Sequence, residues 1–175
     1  TGLHRTLFKA ADGNSRMSYE RVSDRIYFAN GIDNGILDTA TGTVRSWGLP
    51  VAQLPVPVIS VGYMPAGTYQ YALTYLRSDG QEGGAPLGGV VQVPLGGGLA
   101  FTLPVAGDPD VVSKALYLST ANGEIMYLAG LYANSVTAVA YTNDTTELNY
   151  PLPTQFLSAP PAGQPAGNVP RGIRN

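Results

Sequence analysis

The chain has 175 residues, 44% hydrophobic and only 13% charged, with a formal net charge of −2. Its length and apolar content suffice for a buried core in one large or two small domains, and its sparse, scattered charge excludes a clustered basic face for nucleic acid. The absence of cysteine excludes disulfides, Cys-ligated zinc and a thiol nucleophile, and no run approaches the ~18–20 apolar residues of a membrane helix.

The 22 glycines and 14 prolines make up about a fifth of the chain, short of the roughly 25–30% that marks disorder. They interrupt most windows long enough for a helix, so the composition predicts many strands joined by many turns. Residues 1–50 read as a β-meander. Ile26 to Ala29 is a compact strand closed by Asn30-Gly31, Ile36-Leu37 follows Asn34-Gly35, and Thr43 to Trp47 follows Thr41-Gly42. Arg16, Arg21 and Arg25 form a loose basic group there, but Asp12, Glu20 and Asp24 sit among them, so a solvated surface outweighs a phosphate site. Leu49 to Pro57 is apolar and proline-rich, and reads as an extended connector.

Residues 58–148 read as a sandwich of strands over Val58–Val61, Thr68–Arg77, Gly89–Val93, Leu99–Leu103, Lys114–Ser119, Ile125–Leu131 and Thr137–Tyr141. Tyr69, Tyr71, Leu73 and Tyr75 fall at every second position and form one face of a strand. Their period points more to core packing than to a contact patch. Asp108-Pro109 opens either a short helix to Lys114 or a turn into the next strand. Asn122-Gly123 is the strongest hairpin signal, and Ile125 to Leu131, apolar on both faces, is expected as a central strand. From Asn149 the strand pattern gives way to prolines, so residues 149–175 are expected as an extended Pro/Gly-rich arm or linker.

Three segments carry a resemblance: GTYQYALTYLRSDGQEGGAP from Gly67, VSKALYLSTANGEIMYLAG from Val112, and TAVAYTNDTTELN from Thr137. Together they resemble a fibronectin type III-like sandwich of the kind found in tailed-phage virion proteins. One departure is Leu118-Ser119 after Lys114-Ala115-Leu116-Tyr117, where the family carries arginine after the tyrosine. Residues 20–50 are similar to a propeller-blade strand pair seen beside such domains. The resemblance implies an all-β chain, a fibronectin III/Ig-like sandwich flanked by a meander and a Pro-rich tail. It implies a non-enzymatic virion component (tail, neck, fibre or capsid-attached) that contacts other copies of itself and other virion proteins. The alternative is a module of a phage fibre or bacterial surface protein that binds a host-surface glycan or receptor.

The residues that carry chemistry give little support to catalysis. His4 is the only histidine, which leaves a Ser-His-Asp arrangement one remote candidate. Asp108 with Asp110, and Asp79 with Glu82, have the spacing of turn-forming acids more than of a glycosidase pair. Asp33-Asn34 with Asp38, and Asn143-Asp144 with Glu147, lack the EF-hand pattern and fit Asx turns. Gly96-Gly97-Gly98 precedes a strand and no Lys-Ser/Thr follows it, so it reads as a hairpin tip rather than a phosphate loop. No cofactor, metal, nucleic acid or membrane is expected. Eleven tyrosines against four phenylalanines and one tryptophan favour half-exposed contact surfaces. Tyr63, Tyr132 and Tyr141, near strand ends, and Trp47 are the expected interface residues, with the segments 1–50 and 149–175 contributing to assembly.

Overall fold

The computed structural model describes residues 6–11, 14 and 16–153. They form an all-β protein with antiparallel sheets and, among the described residues, no helix. They divide into two compact units, with the boundary between Gly48 and Leu49. Of the arm expected over 149–175, residues 154–175 lie outside the described residues, as does His4.

The N-terminal unit is a four-stranded meander in the order β1 (Ser18–Val22), β2 (Arg25–Ala29), β3 (Asn34–Asp38), β4 (Val44–Arg45). A two-residue turn at Ser23-Asp24 joins β1 to β2, with Ser23 in the left-handed region. Asn34 and Gly35, read as a turn from the sequence, lie inside β3 instead. The reversal occurs at residues 30–33, where Asn30 Oδ1 accepts the Ile32 and Asp33 amides. Gly35 is in the strand because Phe28 lies across it: a β-carbon at Gly35 would collide with the ring. Phe8 packs on the same ring at a centroid distance of 4.8 Å.

The second unit has seven strands: β5 (Val56–Met64), β6 (Gly67–Leu76), β7 (Gly89–Val93), β8 (Gly97–Thr102), β9 (Ser113–Ser119), β10 (Met126–Ala133) and β11 (Ala138–Tyr141). One sheet has the order β10-β9-β6-β7 and the other β11-β8-β5. Their facing sides share one core: Tyr69, Tyr71, Leu73 and Tyr75 of β6 and Leu116 and Leu118 of β9 meet Leu99, Phe101 and Leu103. Tyr71 and Phe101 make the contact between sheets at 5.5 Å. The arrangement is consistent with a β-sandwich. The tyrosine row of β6 is therefore core, each ring worth roughly 1.5–3 kcal/mol of burial.

One open reading is decided and two change. Of the two alternatives for 108–114, the structure has the turn into β9, closed by the Asp110 amide on Asp108 Oδ1 at 2.9 Å. The connector over 49–57 is only partly a connector: Ala52 is buried in the core, and β5 already begins at Val56. β10, expected as central, is an edge strand. Its apolar second face has another explanation, since the chain returns beside it. Leu128 N–H donates to Tyr150 O and Leu152 N–H to Met126 O, both at 2.8 Å. Leu152 then packs into a second apolar cluster with Ala72, Ala115, Tyr117 and Met126 on the outer side of that sheet.

Candidate interaction surface

Most of the acidic residues that the spacing offers for chemistry are committed to local structure. Asp38 Oδ1 accepts the Ala40 and Thr41 amides at 2.9 and 3.0 Å, and the Thr41 amide is the main reason its carboxyl lies below the usual value. Asp33 Oδ2 accepts the Ala11 amide. Asp144 and Asp79 accept the amides two residues on. Asp110 faces the buried Arg77 guanidinium at 3.7 Å, and Arg77 also donates to Gln81 Oε1 at 2.8 Å. Glu82 accepts from Thr74 Oγ1 at 2.5 Å and from the Tyr117 hydroxyl at 2.8 Å. Among the described residues no group of three or more His, Asp or Glu side chains is arranged to hold a metal ion.

Lys114 is fully buried, and its Nζ donates to Pro104 O at 2.6 Å. Burial lowers its pKa. The side chain ties β9 to the loop after β8 and lines no opening to solvent.

The phenols of Tyr69, Tyr71, Tyr75, Tyr117, Tyr132 and Tyr141 all titrate above their ordinary value, chiefly because burial disfavours the phenolate. Their neutral form is the folded form, so their contribution is complete below the unfolded pKa of about 10. As pH rises above that value the unfolded chain ionises first and the contribution is lost. Denaturant melts at pH 8 and pH 11 are expected to show a lower midpoint at pH 11. Tyr117→Phe should reduce that difference, because it removes the most strongly shifted phenol.

The four expected interface residues differ in exposure and in the unit they belong to. Trp47 belongs to the N-terminal unit and packs against Tyr27 at 6.1 Å. Tyr132 is half-buried against the core, with its ring lying along Gly130. Tyr141 is also half-buried, and its hydroxyl donates to Asp144 O. Tyr63 is the exposed one, at 86%, and it lies at the end of β5.

β5 carries the surface that the sequence reading did not single out. Among the described residues it is the edge of its sheet, paired with β8 on one side. Val56, Val58, Ile59, Val61 and Tyr63 along it are all exposed, Val61 at 88%. Paired residues share a face, so Pro57 and Ile59 lie on the side of Phe101 and Leu99, and Val56 and Val58 on the opposite side. Both faces of the strand are therefore apolar and exposed. One signal was available in the sequence: no charged residue occurs between Arg45 and Arg77. Edge strands are ordinarily protected by charge, proline, a bulge, shortness or a cover. β5, at nine residues, has Pro57 and a register shift between Val61 and Met64, but neither charge nor shortness.

Compared with known proteins, the chain matches no family model and no curated protein.

Proposed function

We propose that this chain is a non-enzymatic structural component of a phage virion, a tail, neck, fibre or capsid-attached protein that works through subunit contacts. In this reading the second unit is a fibronectin III-like sandwich. The count of seven strands divided four and three supports it, while the strand order, with β5 and β6 in different sheets, departs from the ABED/CFG arrangement; the segments from Gly67, Val112 and Thr137 supply the resemblance. The Pro-rich segment 149–175 is its arm, anchored at its start where Tyr150 and Leu152 return beside β10. The partners are other copies of the chain and other virion proteins, and the location is the particle.

The observation that carries the proposal is β5. A long, uncharged, apolar edge is a liability in a monomer and an asset in an assembly. Of the acids that sequence spacing offered for glycosidase or calcium chemistry, all but the exposed Glu147 are engaged in turns, an ion pair or buried hydrogen bonds, which also favours a structural role over an enzymatic one. Native mass spectrometry of the full chain tests this. A discrete oligomer is expected; a monomer persisting at high concentration argues against the reading.

A further inference from the structure

Lys114 is the one lysine of the second unit, and it is fully buried. On β9 it lies directly beside Tyr75 of β6 and Tyr132 of β10. Paired residues share a face of the sheet, and both tyrosines are on the core side, so the lysine stem runs between the two sheets. Its Nζ reaches the far side and donates to the carbonyl of Pro104, at the start of the loop between β8 and β9. An ammonium carries three donors. Among the described residues the Pro104 carbonyl is its one acceptor, and no carboxylate pairs with it. The charged groups around it are occupied elsewhere. Arg77, further along β6, is taken by Asp110 and Gln81, and the Asp108 carboxylate takes the Asp110 amide. β10 brings the phenol of Tyr132, and β8 has no titratable residue. A buried charge without a counter-charge is costly, and a buried neutral amine with a hydrogen bond costs far less.

We propose that Lys114 is a proton-operated latch on the β8–β9 loop: the loop closes over the neutral amine, and charging the amine loosens the loop so that water reaches Nζ. Near this point the loop is otherwise held by Asn134, whose side chain bonds the Ala106 amide and carbonyl at 2.9 and 3.1 Å. Loosening it uncovers Val111, a residue of the core. The unfolded chain takes up the lysine proton as pH falls through about 10.4. In the folded chain burial lowers the pKa, so uptake comes at lower pH. The stability that the neutral amine confers is therefore present above the unfolded value, and is lost as pH drops through the interval between the two. Tyr75 and Tyr132 respond in the opposite sense, since burial moves their titration up. Groups that titrate close together in the unfolded chain are thus drawn apart by folding, which leaves the lysine step readable by itself.

The chain has only two lysines, and the other, Lys9, is exposed. NMR of the full-length chain, isotope-labelled at lysine Cε and at the alanine and valine methyls, tests the latch from neutral pH upwards. Lys114 is expected to lose its proton at lower pH than Lys9, and the methyl order parameters of Ala106 and Val111 to rise through the Lys114 midpoint. Lys114→Met, which keeps an unbranched stem without the charge, is expected to abolish that rise. It is also expected to lose less stability than wild type between pH 10 and pH 7 in denaturant melts. A Lys114 midpoint at or above that of Lys9 overturns the proposal, and so do order parameters that stay constant through it; both are read from wild type, whether or not the methionine variant folds. A rise of the same size in Lys114→Met overturns it as well.

Discussion

Replacing Gly89 with valine is expected to cost about 3–5 kcal/mol of stability, the range for losing a large buried aromatic side chain from a core. Gly89 on β7 lies directly opposite Tyr71 on β6, and the Tyr71 ring occupies the space where a β-carbon at Gly89 would be. Any side chain there evicts the ring from its contact with Phe101 and opens the middle of the sandwich. Domains of this size are stable by only about 5–15 kcal/mol, so the variant should melt far below wild type or fail to fold. Gly88→Val is the control, because Gly88 is exposed and a β-carbon there would make only ordinary contacts, with the end of Met126 and the Tyr71 carbonyl oxygen. The cause is separable by a double-mutant cycle. Tyr71→Ala should cost much less in the Gly89→Val background than in wild type. A Gly89→Val variant that melts like wild type would show that the ring has another place to go.

Glu82→Ala is expected to cost about 3 kcal/mol, two hydrogen bonds to a carboxylate at roughly 1.5 kcal/mol each. Thr74 and Tyr117 are both buried, and their hydroxyls share the same Glu82 oxygen. Alanine leaves both donors without that acceptor. It also releases the loop after β6, which otherwise folds back through the Gln81 carbonyl accepting from Arg77 N–H and the Tyr75 carbonyl accepting from Gly83 N–H. Glu82→Gln keeps an acceptor and should cost about 1 kcal/mol. Denaturant melts supply the energies, and limited proteolysis should show new cleavage within residues 78–86 for Glu82→Ala alone. Equal stability of the alanine and glutamine variants would mean that the loop is held by its backbone bonds rather than by the carboxylate.

The seven strands of the second unit were legible because each is a local pattern bounded by Gly, Pro or Asn. The tyrosine row of β6 announced its burial by its period of two. What the sequence hid was non-local or depended on unusual turn chemistry. β1 was missed because SYERV is polar and its turn, Ser23-Asp24, contains no glycine even though Ser23 takes a positive φ. The start of β5 was masked by Pro55 and Pro57, but Pro57 presents its missing N–H to the open side of the strand and disturbs no bond to β8. Asn122-Gly123 does mark the β9–β10 connection. However, Ser119 pairs with Met126, so the two residues sit inside a wider loop, and Asn122 bonds to Thr68 at the start of β6. The edge of β10 is covered by Tyr150–Leu152 returning beside it, a contact more than twenty residues away. The same limitation applied to the candidate surface. An apolar run such as Val58 to Val61 reads as core from sequence, and only the strand order shows that no neighbouring strand covers it among the described residues.

The central claim is that the chain works through subunit contacts at the β5 edge, and sedimentation velocity over a dilution series of wild-type and Val61→Lys full-length chains tests it most directly. The account predicts a concentration-dependent oligomer for wild type and a shift of the Val61→Lys chain towards monomer at the same concentrations, with both equally folded by circular dichroism. Superimposable sedimentation profiles for the two, whether both monomeric or both assembled, would contradict it.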